Sequence, residues 1–277
     1  MFHRPATFAK ALAIKADLGG RVTPLAGGTD LIVGLNRGTS LGEEVLDLSG
    51  VADYGDIDTE NGSLLLRGGV TFARLARLDI RCLADAARSV GGPQIRNRGT
   101  IAGNLATASP AGDGSAALLA LDAEVEISHA TRGARWIKLA DYFLEYRKTA
   151  LGDDELISRI RIPAPDALEA TAWYKIGKRG AVNISVVCAA AARWPDGRLC
   201  LAFGSVAPVP MRATETERLI GTGPLTEELI HQAAQCAMTE VRPIDDWRAS
   251  ADYRRAMCGV LTRRLLRAVR ADSEGKG

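Results

Sequence analysis

The chain has 277 residues, 47% of them hydrophobic and 25% charged, a composition that excludes a disordered segment and a collagen-like fibre. Its 35 basic and 33 acidic side chains leave a net charge of +2, which gives no electrostatic footprint for nucleic acid or an anionic membrane surface. The length is about twice that of a usual single domain, so two folding units are expected.

The N-terminus (Met1-Phe2-His3-Arg4-Pro5) carries no apolar core of signal-peptide length, and the chain is expected to be cytoplasmic. Thr7 suits the cap of an amphipathic helix running to about residue 17. Residues 22–25 read as a short strand. It runs into Ala26-Gly27-Gly28-Thr29-Asp30, and a helix start follows at Leu31. Strands are expected at 44–48 and 62–69. Thr71 suits the cap of a helix to about residue 78, and a further helix over 82–90 is stopped by Gly91-Gly92. The stretch 93–104 shows no helical periodicity. A helix over 115–121 and strands over 123–128 and 155–162 follow.

The prolines of Pro163-Ala164-Pro165 break any regular element, so the domain boundary is placed there. It divides residues 1–165, with subdomains of about 1–55 and 56–165, from 166–277. Strands are expected over 171–176, 183–192 and 198–203. The second of these holds the longest apolar stretch, 184–192. That is far short of the about 20 residues a membrane span needs, so it reads as a buried strand or short helix. Helices over 225–239 and 249–270 close the chain. Asp246 or Ser250 suits the cap of the last one. Its apolar positions Met257, Val260, Leu261, Leu265 and Val269 are expected to face the chain's own sheet. The tail 273–277 is expected to fray.

The five cysteines (Cys82, Cys188, Cys200, Cys236 and Cys258) form no CxxC pair. An odd, scattered set argues against a disulfide framework and against an iron–sulfur or zinc site in this chain. They read as small buried hydrophobes. HExxH and GxSxG do not occur, so zinc-peptidase and serine-hydrolase signatures are missing.

Two glycine-bearing segments carry the chemistry. In Leu25-Ala26-Gly27-Gly28-Thr29-Asp30-Leu31 a strand enters a turn able to point several backbone N–H groups at one spot. An anion gains from those donors and from the helix dipole. Glycine permits the close approach and the positive φ this needs. The alternative is a tight strand–helix turn with Thr29 or Asp30 as a plain cap. The segment is not GxGxxG, and no GxxxxGK[ST] exists. The second segment, Thr100-Ile101-Ala102-Gly103-Asn104, continues to Asp113 with hydroxyls, an amide, a carboxylate and hardly any large side chain. It leaves room for something flat and offers groups to read its edges. The alternative is a polar surface loop. Together the two argue for an extended ligand with a phosphate part and a ring part, such as a dinucleotide.

The same segments resemble the two FAD motifs of the flavin-binding (medium) subunit of the molybdenum hydroxylases, the group of xanthine dehydrogenase and carbon monoxide dehydrogenase. Leu25 to Leu31 resembles the first motif, and Gln94-Ile95-Arg96-Asn97-Arg98-Gly99-Thr100-Ile101-Ala102-Gly103-Asn104 the second. The resemblance continues through 109–113, 118–123, 155–163, Tyr174-Lys175, 184–187, 201–208 and 247–255, in order over nearly the whole chain. The wording is closest to bacterial members whose subunits are separate chains.

The resemblance implies a PCMH/VAO-type α+β FAD-binding domain of two subdomains, followed by a small C-terminal α+β domain of antiparallel sheet plus helices. It implies that Pro24, Leu25, Ala26, Gly27, Gly28, Thr29, Asp30 and Leu31 hold the pyrophosphate and ribityl region of FAD. Thr100, Ile101, Ala102, Gly103 and Asn104 would meet the cofactor from the other side, near the flavin. Asp113, Ile157 and Lys175 would complete the pocket. Lys175 would reach over from the second domain with a charge that favours reduced, anionic flavin. Without the resemblance, Lys175 reads equally as a surface lysine on an edge strand.

The function implied is an electron-transfer subunit. It takes electrons from an iron–sulfur small subunit, which draws them from a molybdenum-cofactor large subunit, and passes them to NAD+ or another acceptor. The assembly implied is a heterotrimer, able to dimerise, with molybdenum and [2Fe-2S] only in the partner subunits. No general acid or base is assigned in this chain. Arg96 and Arg98 either face the iron–sulfur partner or are solvated loop charges. Two departures stand out. Family members usually have glycine at Ala102, where alanine is strained if φ is positive. Some members have an aromatic at Val90, which puts adenine stacking on that side in doubt. These two residues are the support for an alternative reading as a flavin-free assembly module. A stand-alone flavin oxidoreductase is the third reading.

Overall fold

The first unit is a parallel βαβαβ arrangement. β1 (Phe2–His3), α1 (Phe8–Leu18), β2 (Val22–Leu25), α2 (Leu31–Asn36) and β3 (Glu44–Asp47) follow in sequence, and the strands order β1-β3-β2. Parallel neighbours need crossover connections, which α1 and α2 supply. Thr7 caps α1, its Oγ1 accepting from the Lys10 N–H at 3.3 Å. The computed structural model describes residues 1–39, 41–180 and 182–274, so 275–277 of the tail expected to fray lie outside them.

The second unit is antiparallel. Its early elements are β4 (Ile57–Glu60), β5 (Ser63–Arg67) and the helices α3 (Phe72–Leu75), α4 (Arg81–Ser89), α5 (Pro93–Arg98), α6 (Ile101–Thr107) and α7 (Asp113–Ala120). β6 (Glu124–His129), β7 (Gly133–Lys138), α8 (Leu139–Tyr142), the ribbon β8 (Phe143–Glu145) with β9 (Lys148–Thr149), and β10 (Leu156–Ile162) complete it. The sheet orders β4-β5-β10-β6-β7. Here the structure departs from the sequence reading. The stretch 93–104 is not irregular but holds α5 and the start of α6. Each of these helices is under two full turns, too short to display an amphipathic period. Pro93 at the first turn of α5 is the one start signal present. Edge strand β7 also escaped, because most of its residues are exposed.

The last unit is an antiparallel sheet of β11 (Ala170–Ile176), β12 (Val187–Arg193), β13 (Leu199–Gly204) and β14 (Met211–Arg212), in sequence order, with α9 (Thr214–Ile220), α10 (Glu227–Glu240) and α11 (Ala251–Glu274). Strand β12 explains the apolar run. Cys188, Ala190 and Ala192 enter the core shared with α4 and α7, while Val187, Ala189 and Ala191 enter the core under α10 and α11. Alternate residues face opposite sides, and here both sides are covered, so no polar position interrupts residues 187–192. The hydrophobic core therefore does not stop at the Pro163–Pro165 break.

Leu261, Leu265 and Val269 of α11 are fully buried against this sheet. Ser250 caps α11, accepting from the Tyr253 N–H at 3.2 Å, whereas Asp246 binds Arg248 and Arg254 instead. Cys82, Cys188, Cys200 and Cys258 are buried and free. Burial pushes the thiols of Cys82 and Cys258 up to about 12 and that of Cys200 to about 11. Among the described residues no helix is long and apolar enough to cross a membrane.

Candidate functional site

The two glycine segments, some seventy residues apart, touch. A Cβ on Gly27 would lie 2.0 Å from the Arg98 carbonyl oxygen and 2.9 Å from the Gly99 Cα. Only glycine allows this crossing. Gly28 then turns the chain at φ +74°. The N–H groups of Gly27, Gly28 and Thr29 donate to no other described residue. Asp30 occupies the cap position of α2 with helical angles (φ −100°, ψ −45°), and no side chain caps the helix there. The plain-cap alternative is thus not what the turn does, and its donors remain unspent.

The second segment works differently. Thr100 caps α6, its Oγ1 accepting from the Gly103 N–H at 3.2 Å. The N–H groups of Ile101 and Ala102 donate to Val70 O (2.9 Å) and Gly68 O (3.1 Å). The N–H groups of residues 101–104 are therefore consumed by the protein, whereas that of Thr100 donates to no described residue. Thr100, Gly103 and Asn104 line the cavity, and the Asn104 Oδ1 is buried in the wall without a hydrogen-bond partner. Ala102 sits in the helix and is not among the residues with positive φ, so the strain that alanine would bring does not arise.

A cavity of about 560 Å³ opens between these segments and the loop joining β11 to β12. All of residues 24–31 line it, with Thr100, Gly103, Asn104 and Asp113. Four of the expected site residues do not. Ile101, Ala102 and Ile157 point into the core, Ile157 being 3% exposed with its carbonyl taken by the Tyr54 hydroxyl at 2.8 Å. Lys175 stands behind the wall with its side chain 11% exposed.

Lys175 does reach across from β11, but to a protein partner. Its Nζ lies 2.6 Å from Asp113 Oδ2 and 3.1 Å from Ser89 O. Asp113 also accepts from Ser185 Oγ at 2.5 Å and from Ser89 Oγ at 3.3 Å. The lysine charge is thus balanced by a buried carboxylate rather than turned on the cavity, and the surface-lysine reading fails with it. Arg96 donates to the carbonyls of Val90 (3.0 Å) and Gly91 (2.9 Å), which fixes the Gly91 bend, while the Arg98 side chain is exposed.

The far wall was missed by sequence reasoning. Arg179, Val182, Asn183 and Ile184 supply it. The Asn183 amide donates to Arg179 O, and its Oδ1 is buried and unpartnered. The only signal was the polar break Gly177-Lys178-Arg179-Gly180 between two strands, which marks a loop but not what the loop faces. Val90 also lines the cavity, presenting an aliphatic surface where some family members have an aromatic.

The donor set suits a ligand with an anionic part: the unspent N–H groups of the glycine turn lie at one end of the cavity, while the unpartnered Asn104 and Asn183 amide oxygens are buried in its walls. Among the described residues no cluster of three or more His, Cys, Asp or Glu side chains is arranged to hold a metal.

Residues 1–165 match the family described as FAD binding domain in molybdopterin dehydrogenase, and residues 172–269 match the CO dehydrogenase flavoprotein C-terminal domain. The chain is similar to the putative xanthine dehydrogenase FAD-binding subunit of Escherichia coli K12. The two are 31% identical over 286 residues, covering 99% of this chain and 97% of that one. It is also similar to the nicotinate dehydrogenase FAD-subunit of Eubacterium barkeri, at 36% identity over 217 residues, 74% of this chain and 73% of that one. A solved carbon monoxide dehydrogenase from Hydrogenophaga pseudoflava superimposes with a TM-score of 0.91 at 28% identity, over 98% of this chain and 97% of its counterpart.

Proposed function

The chain belongs to the FAD-binding medium subunits of the molybdenum hydroxylase family, and from that premise we propose that it is the electron-transfer subunit of such a complex. In this reading it takes electrons from an iron–sulfur small subunit and passes them to NAD+ or another acceptor. The molybdenum cofactor belongs to a large subunit, the assembly is a heterotrimer, and its place is the cytoplasm. Residues 1–165 carry the cofactor-holding wall and 166–277 the wall opposite.

The observation that carries the reading is the crossing of Gly27 over the Arg98 carbonyl, which leaves three consecutive N–H groups unspent at the cavity. A buried pyrophosphate without a P-loop needs such donors. Bound FAD supplies redox chemistry that no side chain here supplies. The residues of this chain bind and orient it. Gly27, Gly28 and Thr29 would donate to the phosphates. Val90 would offer an apolar contact. Asp113 and Lys175 keep the wall between them rigid. The flavin-free reading loses one of its two supports, because Ala102 is an ordinary helical residue.

An absorption spectrum tests the proposal: the chain alone, then with its co-purifying proteins, heat-released cofactor being identified by mass. FAD in the isolated chain, with iron and molybdenum only in the complex, is the expected result. FAD in neither preparation overturns it.

A further inference from the structure

One residue holds the far wall of the cavity without touching it. Arg254, on α11, is 4% exposed. Its Nη1 donates to Val186 O at 3.0 Å and to Ser205 O at 2.8 Å, and its Nη2 donates to Asp246 Oδ1 at 2.7 Å. Asp246 is itself fixed by the N–H groups of Arg248 (2.7 Å) and Ala249 (3.3 Å). Both gripped carbonyls belong to segments that run to the cavity. Val186 follows Ser185, whose Oγ donates to Asp113 Oδ1 at 2.5 Å. Ser205 stands at φ +67°, a region that a serine adopts only when its surroundings hold it there. Its N–H donates to Pro110 O at 2.7 Å and its Oγ to Ser185 O at 3.0 Å. Pro110 lies between Ser109 and Ala111, which line the cavity together with Asp113.

We propose that Arg254 is a positioning residue for the cofactor cavity: by gripping the Val186 and Ser205 carbonyls together it sets Ser185 on Asp113 and Ser205 on Pro110. The inference rests on the FAD reading above. A planar guanidinium can serve two carbonyls and a carboxylate from one fixed fork, whereas a lysine ammonium of the same charge cannot reproduce that geometry. Without the grip, the left-handed Ser205 backbone relaxes, Pro110 loses its donor, and the Asp113 carboxylate loses the hydroxyl that orients it.

A double-mutant cycle on the full-length chain tests this. Arg254→Lys is expected to weaken FAD binding about tenfold, about 1.4 kcal/mol. Hydrogen exchange at the Ser205 amide of the cofactor-free protein is expected to speed up by a similar factor. In a Ser185→Ala background the Arg254→Lys step is expected to shrink to about threefold, because the route to Asp113 is already cut and only the one through Ser205 and Pro110 remains. A step that stays tenfold in that background, or a lowered Tm with unchanged FAD affinity, overturns the proposal and leaves Arg254 a merely structural residue. If Arg254→Lys does not fold, Asp246→Ala, which frees the guanidinium, carries the same measurements. If the parent chain itself binds no FAD, the functional reading falls. The Ser205 amide then decides the positioning role by itself, and unchanged protection overturns it.

Discussion

At Gly27 a single absent methyl group decides whether two distant segments can meet. A Cβ there would overlap backbone, the Arg98 carbonyl, and backbone cannot swing aside as a side chain can. Gly27→Ala is therefore expected to cost about 3 kcal/mol in urea unfolding and to abolish FAD retention. Gly34 is the control. It lies inside α2 with nothing nearer a new Cβ than the Thr39 side chain at 3.6 Å, so Gly34→Ala is expected to raise stability by about 0.5–1 kcal/mol and to spare FAD. Asp246 has its own signature. Burial raises its carboxyl pKa, but the Arg248 N–H and guanidinium and the Arg254 guanidinium outweigh that and hold it at about 2, below the ordinary 3.8. The stability this contributes is complete above about pH 4 and is lost as pH falls from there through 2. Melting temperatures measured across that interval are expected to fall less steeply in Asp246→Asn than in the parent. An equal slope in both would remove Asp246 from the acid response.

Among the elements, α6 separates what a sequence pattern can disclose from what it cannot. Its seven residues, Ile101–Thr107, are too few to show an amphipathic stripe, and it stops at the left-handed Ala108, whose N–H donates to Leu105 O. Its first N–H groups go to Val70 and Gly68, in a strand–turn segment some thirty residues earlier. The glycine-rich character of the segment was legible; its helical state was not. The same distinction explains Lys175 and the 179–184 loop. A strand with a lysine can be read in one dimension, but the carboxylate that the lysine meets 62 residues away cannot. By contrast β2, α4 and β10 were legible because each carries its own period or stop signal, and β12 was legible in part: the strand read over 183–192 starts only at Val187, with Asn183 and Ile184 before it lining the cavity. The helical state of α6 reverses the usual expectation for Ala102. Ala102→Gly, which restores the residue common in the family, is expected to lower stability by about 1 kcal/mol through helix entropy and lost burial. It is not expected to tighten FAD binding. A gain in FAD affinity would mean that the position needs glycine after all.

For the whole molecule, the question is whether the chain behaves as two bodies or one. The Asp113–Lys175 pair joins the first half to the β11–β14 sheet, with both side chains nearly excluded from water. Removing one partner of such a pair strands the other, at a cost of about 3–5 kcal/mol. Lys175→Met is expected to lose that much in urea unfolding, and Asp113→Asn combined with Lys175→Met to regain most of it, because neither side then carries an uncompensated charge. The pair is not the only link. Trp173, Cys188, Ala190, Ala192, Cys200 and Ala202 of the sheet share one hydrophobic cluster with Leu83, Leu118, Ile127 and Ile160 of the preceding unit. Unfolding of one part exposes that shared apolar surface on the other, which couples the two transitions. The double variant is therefore expected to unfold in one cooperative step, as followed by tryptophan fluorescence and far-UV circular dichroism together. Two separated transitions would mean that the buried pair, and not the shared core, is what makes the chain a single body around its cavity.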